Sequence, residues 1–110
     1  MTDEPTGDLT IEDVLTAAAQ DAAGVVTADD AGAITWSVGG LVFAARAGSR
    51  AEFRLDPLVA RAALRTPDTV PSPRGSDWVA FAPAELDDAA VDRAEAWFLS
   101  AHRRASAAPR

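Results

Sequence analysis

The chain has 110 residues, with 17 acids against 10 bases for a formal net charge of -7, and every base is an arginine. It holds no lysine, cysteine, tyrosine or asparagine, which excludes a disulfide or thiolate-metal scaffold, a lysine Schiff base and a tyrosine acid, and leaves His102 as the sole imidazole. Alanine supplies 26 residues and large apolar side chains 27, core material for one small domain.

Residues 1–9 are polar, contain Pro5 and Gly7, and are expected to fray. A single domain is expected over 10–105. Thr10 followed by Asp13 resembles a capping box, and Ile11, Val14, Leu15, Ala18 and Ala22 share one face of a helix predicted over 11–23 and stopped by Gly24. Val25 to Ala28 reads as a short strand, closed by an Asp29-Asp30-Ala31-Gly32 turn. From Ala33 the period becomes two: Ile34, Trp36 and Val38 alternate with Thr35 and Ser37, and Gly39-Gly40 is a loop that permits positive φ at both positions. That loop pairs Val38 with Leu41, Trp36 with Phe43 and Ile34 with Ala45. A second loop at Ala47-Gly48-Ser49 pairs Arg46 with Arg50 and puts Ala51, Phe53 and Leu55 beside Leu41, Phe43 and Ala45. The opposite face then carries Thr35, Ser37, Val42, Ala44, Arg46, Arg50, Glu52 and Arg54, and one face of an antiparallel sheet meets water.

Asp56-Pro57 starts a short helix through Leu64, with Asp as cap and Pro at the first position. Residues 66–76 hold three prolines and a glycine and read as a connecting loop. Trp78 to Ala82 is a further strand, stopped by Pro83. A last helix is predicted from Asp88 to Ala105, with Val91, Ala94, Phe98 and Ala101 inward, Trp97 beside them, and Arg103 and Arg104 in the last turn where the helix dipole favours cations. The tail 106–110 is expected to be loose. The fold class expected is α+β: a curved antiparallel sheet with the N- and C-terminal helices packed on one face.

The stretch Trp36-Ser37-Val38-Gly39-Gly40-Leu41-Val42-Phe43-Ala44, then Arg54-Leu55-Asp56-Pro57, Pro73-Arg74-Gly75-Ser76-Asp77-Trp78-Val79 and Leu86-Asp87-Asp88 resembles the MmcQ/YjbR family of small bacterial proteins, over roughly 10–105. Leu41 stands where members often have a lysine after the Gly-Gly turn, and Thr35-Trp36 where they often have a His-Pro. The resemblance implies a frataxin-like α/β sandwich and the double-wing DNA binding attributed to that family. It transfers no catalytic residue.

Charge is unevenly placed. Residues 1–45 hold eight acids and no base, and residues 46–110 nine acids and ten arginines. A chain acidic overall repels phosphate at long range, so nucleic-acid binding requires a local arginine patch. Arg46, Arg50 and Arg54, expected on one sheet face, with Arg74 from the Pro-rich loop, form the candidate patch for DNA. The same arginines also fit an ordinary solvated face, and their use in place of lysine fits a GC-rich coding bias. Glu12, Asp13, Asp21, Asp29 and Asp30 offer a second surface, either for a protein partner or for weak, frataxin-like metal binding, although exposed monodentate carboxylates hold hard cations poorly. No metal site or cofactor is expected. Asp87, Asp88 and Asp92 read as cap and dipole residues, His102 as part of a basic helix terminus, and Ser49 and Ser76 as turn residues. Trp36, Trp78 and Trp97 read as core or rim aromatics, with base stacking the alternative. No activated nucleophile or phosphate loop is recognisable, so a non-enzymatic binding module is expected. With no apolar run of about 18 residues and acidic residues at 1–8, the expected setting is cytoplasmic, away from membranes.

Overall fold

The structure, a computed structural model, describes residues 9–108. The fraying expected of residues 1–8 falls outside the described residues. Nine elements follow in chain order: α1 (Ile11–Gln20), β1 (Val26–Asp30), β2 (Ala33–Val38), β3 (Leu41–Ala47), β4 (Arg50–Arg54), α2 (Pro57–Ala63), β5 (Thr69–Pro71), β6 (Trp78–Phe81) and α3 (Asp88–Ala107). The strands form one antiparallel sheet in the order β1-β2-β3-β4-β6-β5. The architecture is the expected α+β fold, with α1 and α3 against each other and against the same side of the sheet.

Helix α1 begins as its sequence dictates: Thr10 Oγ1 accepts from the Asp13 N–H and Asp13 returns a bond to the Thr10 N–H, each at 3.1 Å, which satisfies two donors that the first turn leaves open. It buries Ile11, Val14, Leu15 and Ala18 and ends at Gln20, earlier than expected, because a turn closes over 21–24. Helix α3 buries Ala90, Ala94, Trp97, Phe98, Ala101 and Ala105, and it continues to Ala107, two residues into the stretch expected to be loose. Its aromatics centre the core. Phe98 meets Trp36 and Phe43 edge-on at 5.7 and 5.1 Å, and Trp97 meets Phe81 at 5.1 Å. Edge-to-face pairs put the positive rim of one ring on the negative face of another and add roughly 0.5–1.5 kcal/mol each beyond burial.

Three local expectations are corrected. Asp29 and Asp30 belong to β1, not to a turn, because the β1–β2 hairpin needs only Ala31 and Gly32, at φ 54 and 89. Residues 69–71, read as loop, form the edge strand β5; Pro71 is admissible there because an edge strand leaves one side of its ladder unpaired. The third correction concerns register.

Val38 does pair with Leu41, but a bulge between Trp36 and Ser37 puts Ser37 opposite Val42 and Trp36 opposite Ala44, with Phe43 as the extra residue. The β3–β4 loop is also one residue shorter than expected: Gly48-Ser49 joins Ala47 to Arg50, so Arg46 faces Ala51 and not Arg50. The two one-residue differences cancel beyond the loop, and β4 keeps its expected faces. Between them, Ala44, Ala45 and Arg46 are inverted.

Candidate functional site

That inversion decides where the candidate arginines lie. Arg46 pairs with Ile34 and Ala51, which puts it on the helix side of the sheet, off the outer face assigned to it from sequence. Its Nη2 lies 3.2 Å from Glu12 Oε1 on α1, and its Nη1 donates to the Gly48 carbonyl at 2.9 Å. Arg50 and Arg54 keep the outer face, since they alternate with the buried Ala51 and Phe53. The structure therefore divides the expected four, and Arg74 joins the outer pair through an acid.

Glu52 lies between Arg50 and Arg54 on that outer face and is only 2 % exposed. Its strand neighbours are Ala45 and Ala80, too small to cover it, and the cover comes from the Pro-rich loop. Ser72 Oγ donates to Glu52 Oε2 at 2.7 Å and Arg74 Nε to Oε1 at 2.8 Å, while the Arg74 N–H donates back to Ser72 Oγ at 3.1 Å. Arg50 Nε stands 3.9 Å from Oε2. Burial by itself pushes the Glu52 carboxyl up; the hydrogen bonds from Arg74 and Ser72 and the positive charges of Arg74 and Arg50 outweigh it and hold its pKa below the ordinary value.

The remaining parts of the face are aromatic and apolar. Arg54 is opposite Trp78 in the β4–β6 ladder, and the Arg74 guanidinium stands 5.5 Å from the Trp78 ring centroid. Trp78 is half-buried, whereas Trp36 and Trp97 are core residues. Val42 and Val70 are exposed on the same side, opposite Ser37 and Ala80. None of the ion pairs among the described residues involves Arg54. Three guanidinium groups and the Glu52 carboxylate thus share the β4–β6 part of this face.

Sequence reasoning puts Glu52 among the outer-face arginines but does not foresee its burial. An acid alternating with core residues marks the outer face of a strand, yet its burial depends on Ser72 and Arg74, twenty or more residues away. The other candidates have structural partners. Asp13 completes the α1 capping box, Asp29 accepts from the Gly32 N–H at 3.3 Å, and Asp87 caps α3 through the Ala90 N–H at 2.9 Å. Asp21 is the α1 C-cap, Asp30 ends β1, and Asp88 sits in the first turn of α3. Asp92 is exposed on that helix. Among the described residues no group of three or more His, Cys, Asp or Glu could hold a metal ion, and no helix is long and apolar enough to cross a membrane. His102 Nε2 is 2.8 Å from the Ala23 carbonyl and its ring packs edge-on to Phe43, so it fastens α3 to the segment after α1, with Nε2–H as donor. Ser49 is in the β3–β4 turn, as expected, and Ser76 is exposed in the loop before β6.

No family model, curated protein or solved structure matches the chain.

Proposed function

We propose that the protein is a binding module of the MmcQ/YjbR type with no catalysis of its own, which holds DNA on the helix-free face of its sheet through Arg50, Arg54 and Arg74. The observation that carries this reading is a run of contacts on the face that the helices leave open: Arg50 and Arg74 meet Glu52, and Arg74 and Arg54 flank Trp78. Glu52 holds Arg74 in place, and the remaining N–H groups of the guanidinium are free to meet phosphate oxygens. A half-buried tryptophan between arginines suits single strands, whose bases can stack, better than a duplex, whose bases are already stacked. The order of elements, with its Gly-Gly hairpin, Asp-Pro helix start and Asp-capped last helix, supports the family reading. Arg46 has no part in this interface.

The test is a titration of labelled single-stranded and duplex DNA at low ionic strength, with Arg50→Glu/Arg54→Glu beside the wild type. Single-stranded DNA is expected to bind more tightly and to quench tryptophan fluorescence, and the double variant to lose most of the affinity. Absence of binding even at low salt contradicts the reading.

A second reading, a protein-partner adaptor, is favoured by β1. This edge strand is exposed along all five residues and ends in Asp29 and Asp30, and an unpaired strand edge is a template for an added strand. Capture of a host protein that is lost on reversal of Asp29 and Asp30, without any DNA affinity, would decide in its favour.

A further inference from the structure

On the helix side of the sheet, a cleft of about 490 Å³ opens between the start of α1, the β3–β4 turn and the segment before α3. Its walls include Leu9, Ile11, Pro83 and Leu86, and its charged groups are Glu12 and Arg46. A volume of that order, mostly apolar with few converging polar groups, is the usual form of a small-molecule site. Leu9, half exposed at 50 %, and the half-buried Leu86 leave apolar surface at its rim.

The ion pair in this cleft is unequal. The Arg46 side chain is 17 % exposed and held from behind by the Gly48 carbonyl, whereas the Glu12 side chain is 48 % exposed on the outer part of α1. The cation is the enclosed partner and its anion the exposed one. Glu12 also satisfies Arg46 incompletely: it meets Nη2 alone, and among the described residues the buried Nε has no hydrogen-bond partner. Nε and Nη2 form one edge of the guanidinium, and their two parallel N–H bonds match the two oxygens of a single carboxylate.

We propose that this cleft binds a small molecule with an apolar body and a carboxylate, the carboxylate displacing Glu12 and taking both the Nε and Nη2 donors of Arg46. The apolar body lies on Leu9, Ile11, Pro83 and Leu86. The site is separate from the DNA face, and neither depends on the other.

The experiment is a titration of the full chain with octanoate, 1-octanol and octylammonium, read from the backbone amide shifts of Leu9, Ile11, Glu12, Gly48 and Leu86. Octanoate is expected to give saturable shifts confined to these positions, with the alcohol and the amine roughly tenfold weaker or more, since they lack the forked contact. Glu12→Gln, on an exposed helix position, removes a competitor worth little on a surface and is expected to tighten octanoate on the order of two- to fivefold. Arg46→Met, which keeps the apolar stem, is expected to abolish the preference for octanoate over octanol; Arg46→Lys, which retains the charge and loses the fork, reports the same contrast should the methionine variant misfold. Equal binding of octanol and octanoate, or an octanoate affinity unchanged or lowered by Glu12→Gln, would overturn the proposal.

Discussion

Glu52 is a charged residue in the middle of a sheet, and its burial there depends on Ser72 and Arg74 from the Pro-rich loop and on Arg50 of its own strand. Removing the charge while keeping the shape tests this: Glu52→Gln is expected to lower stability at neutral pH by about 1–3 kcal/mol, the cost of weakening charge-assisted bonds at a buried site. Because the folded pKa is below the ordinary value, the stabilisation is present above the unfolded glutamate pKa of about 4.3 and is lost as pH falls through the folded one. Denaturant titrations from neutrality into the acid range are therefore expected to show a smaller acid-side loss in Glu52→Gln than in the wild type. At Ala31 the strain lies in the backbone. Its φ of 54 is the left-handed region, which costs an alanine roughly 1–2 kcal/mol, and Asn-Gly is the preferred pair in such hairpins. Ala31→Asn is expected to stabilise the protein by about 0.5–1 kcal/mol, measured by chemical denaturation, with Ala31→Val moving stability the other way.

At the scale of elements, α3 is secured at both ends. Asp87 caps its start, and near its end Arg104 donates to the Leu55 carbonyl at 2.6 Å and to Asp77 at 3.0 Å, while the Leu55 N–H donates to the Asp77 carbonyl at 2.9 Å. One residue thus joins the last helix, the end of β4 and the Pro-rich loop that covers Glu52. Arg104→Met is expected to cost about 1–3 kcal/mol by leaving Leu55 O unpaired, and to raise hydrogen exchange at Leu55 and Ser72 more than at Phe43. From sequence, Arg104 was legible only as a cation suited to a helix terminus; its acceptors are 49 and 27 residues away. The elements themselves were legible wherever local chemistry dominates: the Thr10 box, the Asp56-Pro57 start, the Gly39-Gly40 hairpin and the period of β2 and β4. The Phe43 bulge was not, because Phe43 faces the helices with or without it and the Ala44 and Ala45 that follow are small enough for either face. That single bulge moved Arg46 across the sheet, so the candidate site was legible in three of its members and misplaced in the fourth.

Over the whole molecule, the charge of -7 opposes any polyanion at a distance, so the DNA binding proposed above requires short-range contacts on the outer face of the sheet. A site of this kind loses affinity steeply with salt, and the number of arginines engaged sets the slope. The cleft beside Arg46 lies on the other side of the sheet, so its variants are expected to leave that slope unchanged. The measurement that tests the account most directly is the dependence of single-stranded DNA affinity on salt concentration. If Arg50, Arg54 and Arg74 each meet one phosphate, the logarithmic slope is about -2, from roughly 0.7 per contact, and it falls toward about -1.4 in Arg54→Ala while Arg46→Gln retains the full value. A slope near zero, or one reduced by Arg46→Gln and not by Arg54→Ala, would contradict the assignment of the helix-free face as the binding surface.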